Sequence, residues 1–163
     1  MKKYSKKDQK IMADWALDCA ERVLTFFENI RPEDNRPRKA LEVGREWVEN
    51  GIFRMPVIRS ASLNSHAAAK EVDPKSPACF AAHAAGQAVA TAHVPQHAFG
   101  GAYYALKAIA AAHPEDAYTK VIKEKEWQSQ HLSEYLREEI LNRLVVEERK
   151  NGIYITIQKG SDF

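Results

Sequence analysis

The pair His93 and His97, four residues apart, has the most definite chemistry of any spacing in this 163-residue chain. On a helix that step sets two imidazoles on one face, as in helical zinc and iron sites. Pro95 lies between them, so a kink or a helix end changes the distance between the rings. No HExxH is present, and no Asp or Glu falls between Asp73 and Glu115. A third ligand would therefore come from another helix, with His66, His83 or His131 as candidates. A divalent metal on His93 and His97 would make the chain a metal-dependent enzyme of the helical-bundle type. The competing reading, which the missing carboxylates favour, has neutral buried histidines bonded to backbone or hydroxyl groups and expects no cofactor.

A second set shares another face: His83, Gln87 and Thr91 follow one another at four-residue steps through an otherwise alanine-rich stretch. Tyr103 and Tyr104 can supply hydroxyl partners. The five residues form either an internal hydrogen-bond network that fixes helix register or the wall of a ligand pocket, and the network is preferred. Nucleophilic catalysis has thin support, since Cys79 lies four residues before His83 but nothing in the sequence exposes or activates the thiol. Neither GxGxxG after a strand nor GxxxxGK[ST] occurs, which argues against a nucleotide enzyme. Arg38, Glu42, Arg45 and Glu49 alternate at helical spacing as a solvated ladder, unless Arg38 or Arg45 points at the central histidines to bind an anion.

These groups need helices to place them. Ile11, Met12, Trp15, Cys19, Val23, Phe26 and Phe27 predict one helix over about 8–29. Pro37 to Glu49 predicts a second, stopped by Asn50-Gly51, in which Gly44 marks a close approach by another backbone. Pro56 to Glu71 predicts a third. Ser76 and Pro77 start the alanine-rich segment, Pro95 divides it in two, and His113-Pro114 ends it. From Glu115, apolar spacing continues through Leu144 and Val145 to about Lys150, with Ser133 able to start a separate helix. The tail IYITIQ alternates like a strand, but no partner strand is apparent. It is a loose tail, an extended segment laid on the helices, or an edge that pairs with a second copy in a homodimer. The expectation is one all-α domain over 1–163, a bundle of six or seven helices around a central alanine-rich pair. Residues 1–7 are expected to fray and 151–163 to form an extended tail.

Lys+Arg 24 against Asp+Glu 22 leaves a net charge of +2, too balanced to call for nucleic acid. The N-terminal lysines are expected to lie in a solvated first turn. No stretch predicts a signal peptide or a membrane span, and two cysteines without a CxxC neighbour suit a reducing cytoplasm. Ile52, Phe53 and Met55, apolar residues outside any clear helical face, are the candidates for a partner surface.

The pieces DWALDCAERVL, RPRKALEVGREWVENG, ACFAAHAAGQAVATAHVPQHAFGGAYYALKAI and EKEWQSQHL together resemble a family of predicted immunity proteins of bacterial polymorphic toxin systems. The likeness runs from about Trp15 to Leu132. It implies an all-helical cytosolic protein that neutralises a protein toxin by binding it, with no reaction and no catalytic residues.

Overall fold

A computed structural model describes residues 3–163 and shows eight helices followed by a two-stranded hairpin. They are α1 (Lys6–Glu21), α2 (Leu24–Glu28), α3 (Arg36–Asn50), α4 (Met55–Ala69), α5 (Pro77–Ala90), α6 (His97–Ala112), α7 (Ala117–Gln130) and α8 (Glu134–Arg143), then β1 (Leu144–Arg149) and β2 (Gly152–Ile157). Lys2 of the basic N-terminus lies outside the described residues. The first helix begins with a capping box, in which Ser5 Oγ accepts from the Asp8 amide and the Asp8 carboxylate accepts from the Ser5 amide.

The all-α architecture follows the sequence, with α5 and α6 packed together at the centre against α1, α3, α4 and α7. Alanine explains how. Ala81, Ala82, Ala84, Ala85, Ala98, Ala102, Ala105 and Ala108 are fully buried, and side chains this short let helices approach closely enough to exclude water. At the tightest point a Cβ on Gly101 would lie 3.3 Å from the Cβ of Ala16 and 3.6 Å from the Cα of Ala88. Larger side chains from α1 and α2, including Trp15, Leu17 and Phe27, fill the layer beside the pair.

Three local expectations need correction. The first predicted helix is two, broken at Arg22-Val23. Neither residue is a helix breaker; the Arg22 guanidinium clasps Glu124 of α7 at 2.6 and 3.0 Å while Val23 is fully buried, so tertiary packing sets the break. Gly44 is approached not by backbone but by the Leu17 side chain, whose Cδ2 would stand 2.6 Å from an added Cβ. Finally, the last helix stops at Arg143. Leu144 and Val145 belong to β1, and the tail does have a partner: β2 pairs antiparallel with β1, from Leu144↔Ile157 to Arg149↔Gly152. The β-branched run Val145-Val146 disfavours helix, and Lys150-Asn151 form a two-residue turn closed by Gly152 at φ 131°.

Candidate functional site

The central histidines do not gather into one cluster. His93 sits exposed in the turn between α5 and α6, while His97 opens α6 and is half-buried. Gln87 of α5 meets His97 across the turn, its Oε1 2.7 Å from His97 Nδ1, so Nδ1 carries the proton and donates. Burial first, and then the nearby His93, lower the pKa of His97 and keep it neutral. Among the described residues no group of three or more His, Cys, Asp or Glu is arranged to hold a metal ion.

His83, one turn before Gln87 on the same face of α5, meets His66 of α4, with the two Nδ1 atoms 2.7 Å apart. One ring must donate and the other accept, so the pair consists of opposite tautomers when neutral. Burial, reinforced by His83, His97 and Lys70, lowers His66 to about 4, and burial with Lys70 lowers His83. The rings fit because position 86 is glycine: a Cβ there would come within 2.8 Å of His66 Nε2. Gly100 does the same for Gln87, whose Oε1 lies 2.6 Å from the site of an added Cβ. Both glycines make room for a polar side chain from a neighbouring helix.

The seam extends on both sides. Tyr104 stacks on His83 at 5.0 Å between centroids, and Tyr103 meets Tyr104 edge-on at 5.1 Å. Ser62 and Ser65 of α4 donate to the carbonyls of Gly86 and Ala82 at 2.9 and 2.7 Å. Thr91 is fully buried at the end of α5, where its hydroxyl donates to the Gln87 carbonyl at 3.4 Å. Gln9 of α1 supplies two more bonds, from Nε2 to the carbonyls of Thr91 and Ala92 at 2.8 and 3.0 Å, closing the C-terminal end of α5. Of the predicted polar set, then, His83 and Tyr104 stack together, Gln87 turns to His97, and Thr91 is a helix-end group. His66, Ser62 and Ser65 complete the seam at i, i+3 and i+4 spacing on α4, a stripe hidden in the sequence among apolar and exposed residues.

Gln87, His97, Gly100, Tyr103 and Tyr104 form one wall of a cleft of about 670 Å3, and Ile155, Thr156, Ile157, Lys159 and Phe163 form the other. Neither thiol is activated: burial raises that of Cys19 well above its ordinary range and raises that of Cys79 too. The arginine ladder also points elsewhere. Arg38 pairs with Glu21 and Glu28, both at 2.7 Å, and Arg45 with Asp14 and Asp18 at 2.6 and 2.5 Å, tying α3 to α1 and α2.

The other candidate surface is open. Ile52, Phe53 and Met55 are 59%, 45% and 37% exposed at the corner between α3 and α4, and Val57 continues the apolar surface. Beside them is a cavity of about 200 Å3 lined in part by Trp47, Arg54 and Ile58. No helix among the described residues is long and apolar enough to cross a membrane.

A family model described as "Imm-5 like putative immunity protein" matches residues 2–135. The chain belongs to that family. Comparison with curated proteins and with solved structures returns no match. The match covers α1 to α7, and therefore the polar seam and the Ile52–Met55 corner; membership in an immunity-protein family implies that the chain binds a partner. The hairpin from Leu144 onward lies beyond the matched residues.

Proposed function

We propose that this immunity-family protein neutralises a bacterial protein toxin in the cytoplasm by direct, non-catalytic binding. The family match over residues 2–135 carries the reading. The chemistry of the centre supports it: the histidines are hydrogen-bonded to partners within the protein and held neutral by burial, and both thiols are pushed toward the protonated form. Groups satisfied in this way fix how the helices pack.

The contact surface includes the α3–α4 corner. Large apolar side chains standing in water beside a small cavity gain free energy when a partner covers them, and aromatic and Met side chains are favoured at interface centres. Phe53 is the natural anchor there. Co-expression with the product of the neighbouring gene, tested as the candidate toxin, tests the function. Restored growth and co-purification of the two proteins are expected; unrelieved toxicity with both proteins soluble would refute it. For the surface, Phe53→Ala is expected to weaken binding at least about tenfold. Unchanged affinity in that variant would move the contact elsewhere.

A further inference from the structure

The cleft beside the polar seam has an unusual second wall, because it meets the C-terminal half of β2. Ile155, Thr156 and Ile157 all line the cavity, although side chains of consecutive strand residues point to opposite faces. A cavity touched by all three must run along the edge of the strand. No residue of β1 lines it, so this is the edge turned away from the hairpin partner.

That edge is unpaired. The register of the hairpin, and the bond from the Gln158 amide to the Arg143 carbonyl at 2.7 Å, set which residues exchange hydrogen bonds: Val145 with Thr156, Glu147 with Tyr154, Arg149 with Gly152. Ile153, Ile155 and Ile157 therefore direct their N–H and C=O groups away from β1. Among the described residues no hydrogen bond engages them. Natural proteins usually cover or blunt such an edge, since it is a template for another strand. The charge of the cleft points to the occupant. Among the described residues Lys159 is the only charged side chain lining it once His97 is held neutral, and no carboxylate side chain of those residues lines either wall.

We infer that the open edge of β2 accepts an extended, acidic segment of the toxin as a third strand lying in this cleft. The inference rests on the toxin-binding reading above and deepens it. Main-chain hydrogen bonds would supply affinity, and Lys159 with the Tyr103–Tyr104 wall would select the side chains. Helix α1 touches the neighbourhoods of both this edge and the Ile52–Met55 corner. Its Lys10 Nζ comes within 3.0 Å of where a Cβ on Gly51 would lie, while Gln9 binds the turn that leads into Val94 and Gln96 of the cleft.

Amide hydrogen exchange on the full chain, free and with the toxin identified by the co-expression test, tests this without any substitution. The amides of Ile153, Ile155 and Ile157 are expected to exchange rapidly in the free protein and to slow at least about tenfold in the complex. Two variants accompany it. Ile155→Pro removes an edge N–H while leaving every β1–β2 bond in place, and is expected to weaken binding about tenfold or more; Ile155→Ala, which keeps the N–H, is expected to weaken it less than about threefold. Lys159→Glu is expected to weaken binding about tenfold. Toxin binding with unaltered exchange at the three amides would overturn the strand-addition proposal and leave the toxin-binding reading standing. Full affinity in Lys159→Glu would overturn the acidic character of the segment. Concentration-dependent protection in the free protein would place a second copy on the edge and overturn the assignment to the toxin. No binding by the wild-type chain would overturn the toxin-binding reading itself.

Discussion

The α5–α6 pair and the C-terminal hairpin stand side by side across one cleft, yet they satisfy their polar groups in different ways. In the helix pair, alanine and glycine let backbones close on one another, and side-chain polar groups find partners inside the protein: His66 with His83, Gln87 with His97, Ser62 and Ser65 with carbonyls. In the hairpin one strand edge is left unpaired toward the cleft. The first region is self-sufficient and lies within the family match; the second is incomplete and lies beyond it. In the proposed function the two have separate roles, the first as a rigid body and the second as an edge open to another chain.

If the comparison is right, damage to the two regions should differ in size and in kind. The largest loss of stability is expected from Phe99→Ala, which empties a fully buried site on α6 and also removes the contact with Phe163 at 5.7 Å. About 3–5 kcal/mol should disappear from the unfolding free energy measured by urea titration. A loss below about 1 kcal/mol would mean that the centre is not rigidly packed. Gly86→Ala should come next, at about 1–3 kcal/mol, because the new methyl displaces the His66 ring and separates the histidine pair.

The histidine seam also predicts a pH dependence. Folding lowers His66 from its ordinary 6.5 to about 4, so the unfolded chain takes up the proton first as pH falls. The stability associated with His66 is then complete above pH 6.5 and lost between 6.5 and about 4. Thermal midpoints measured across that range should fall on acidification in the wild type and fall less steeply in His66→Gln. Parallel curves would show that the pair is not held neutral as described. The smallest effect belongs to the hairpin: Tyr154→Ala, which removes a ring 4.2 Å from the Arg149 guanidinium on the exposed face, should alter stability by only about 0.5 kcal/mol.

Much of this division was legible in the residues themselves. Pro77 after Ser76, Gly51 after Asn50 and the alanine run are local signals that mark the observed boundaries, while helical apolar spacing found the helices but missed the break at Arg22-Val23 and ran past Arg143. The exposed state of Ile52, Phe53 and Met55 followed from their place outside a helical stripe. Less local features were hidden. Nothing near Arg22 announces a helix break, because its cause is Glu124, about a hundred residues away. β1 was concealed because Leu136, Ile140 and Leu144 continue a helical step into the strand, and one apolar run can satisfy either period for a few residues. The seam was half visible: four-residue spacing found His83, Gln87 and Thr91, but which histidines meet depends on helix crossing, and that brought His66 to His83 and left His93 in solvent.

Neutralisation by contact and neutralisation by chemistry are separated by a stoichiometric titration. Purified toxin, held at a concentration well above its dissociation constant, is assayed for its own activity as this protein is added, and the toxin is then recovered from the mixture by denaturation and refolding. For neutralisation by contact, activity is expected to fall linearly to zero at a fixed molar ratio, with chemically unaltered and fully active toxin recovered afterwards. Inactivation by a small fraction of an equivalent, with a permanent change in the recovered toxin's mass, would contradict it and reveal an enzyme.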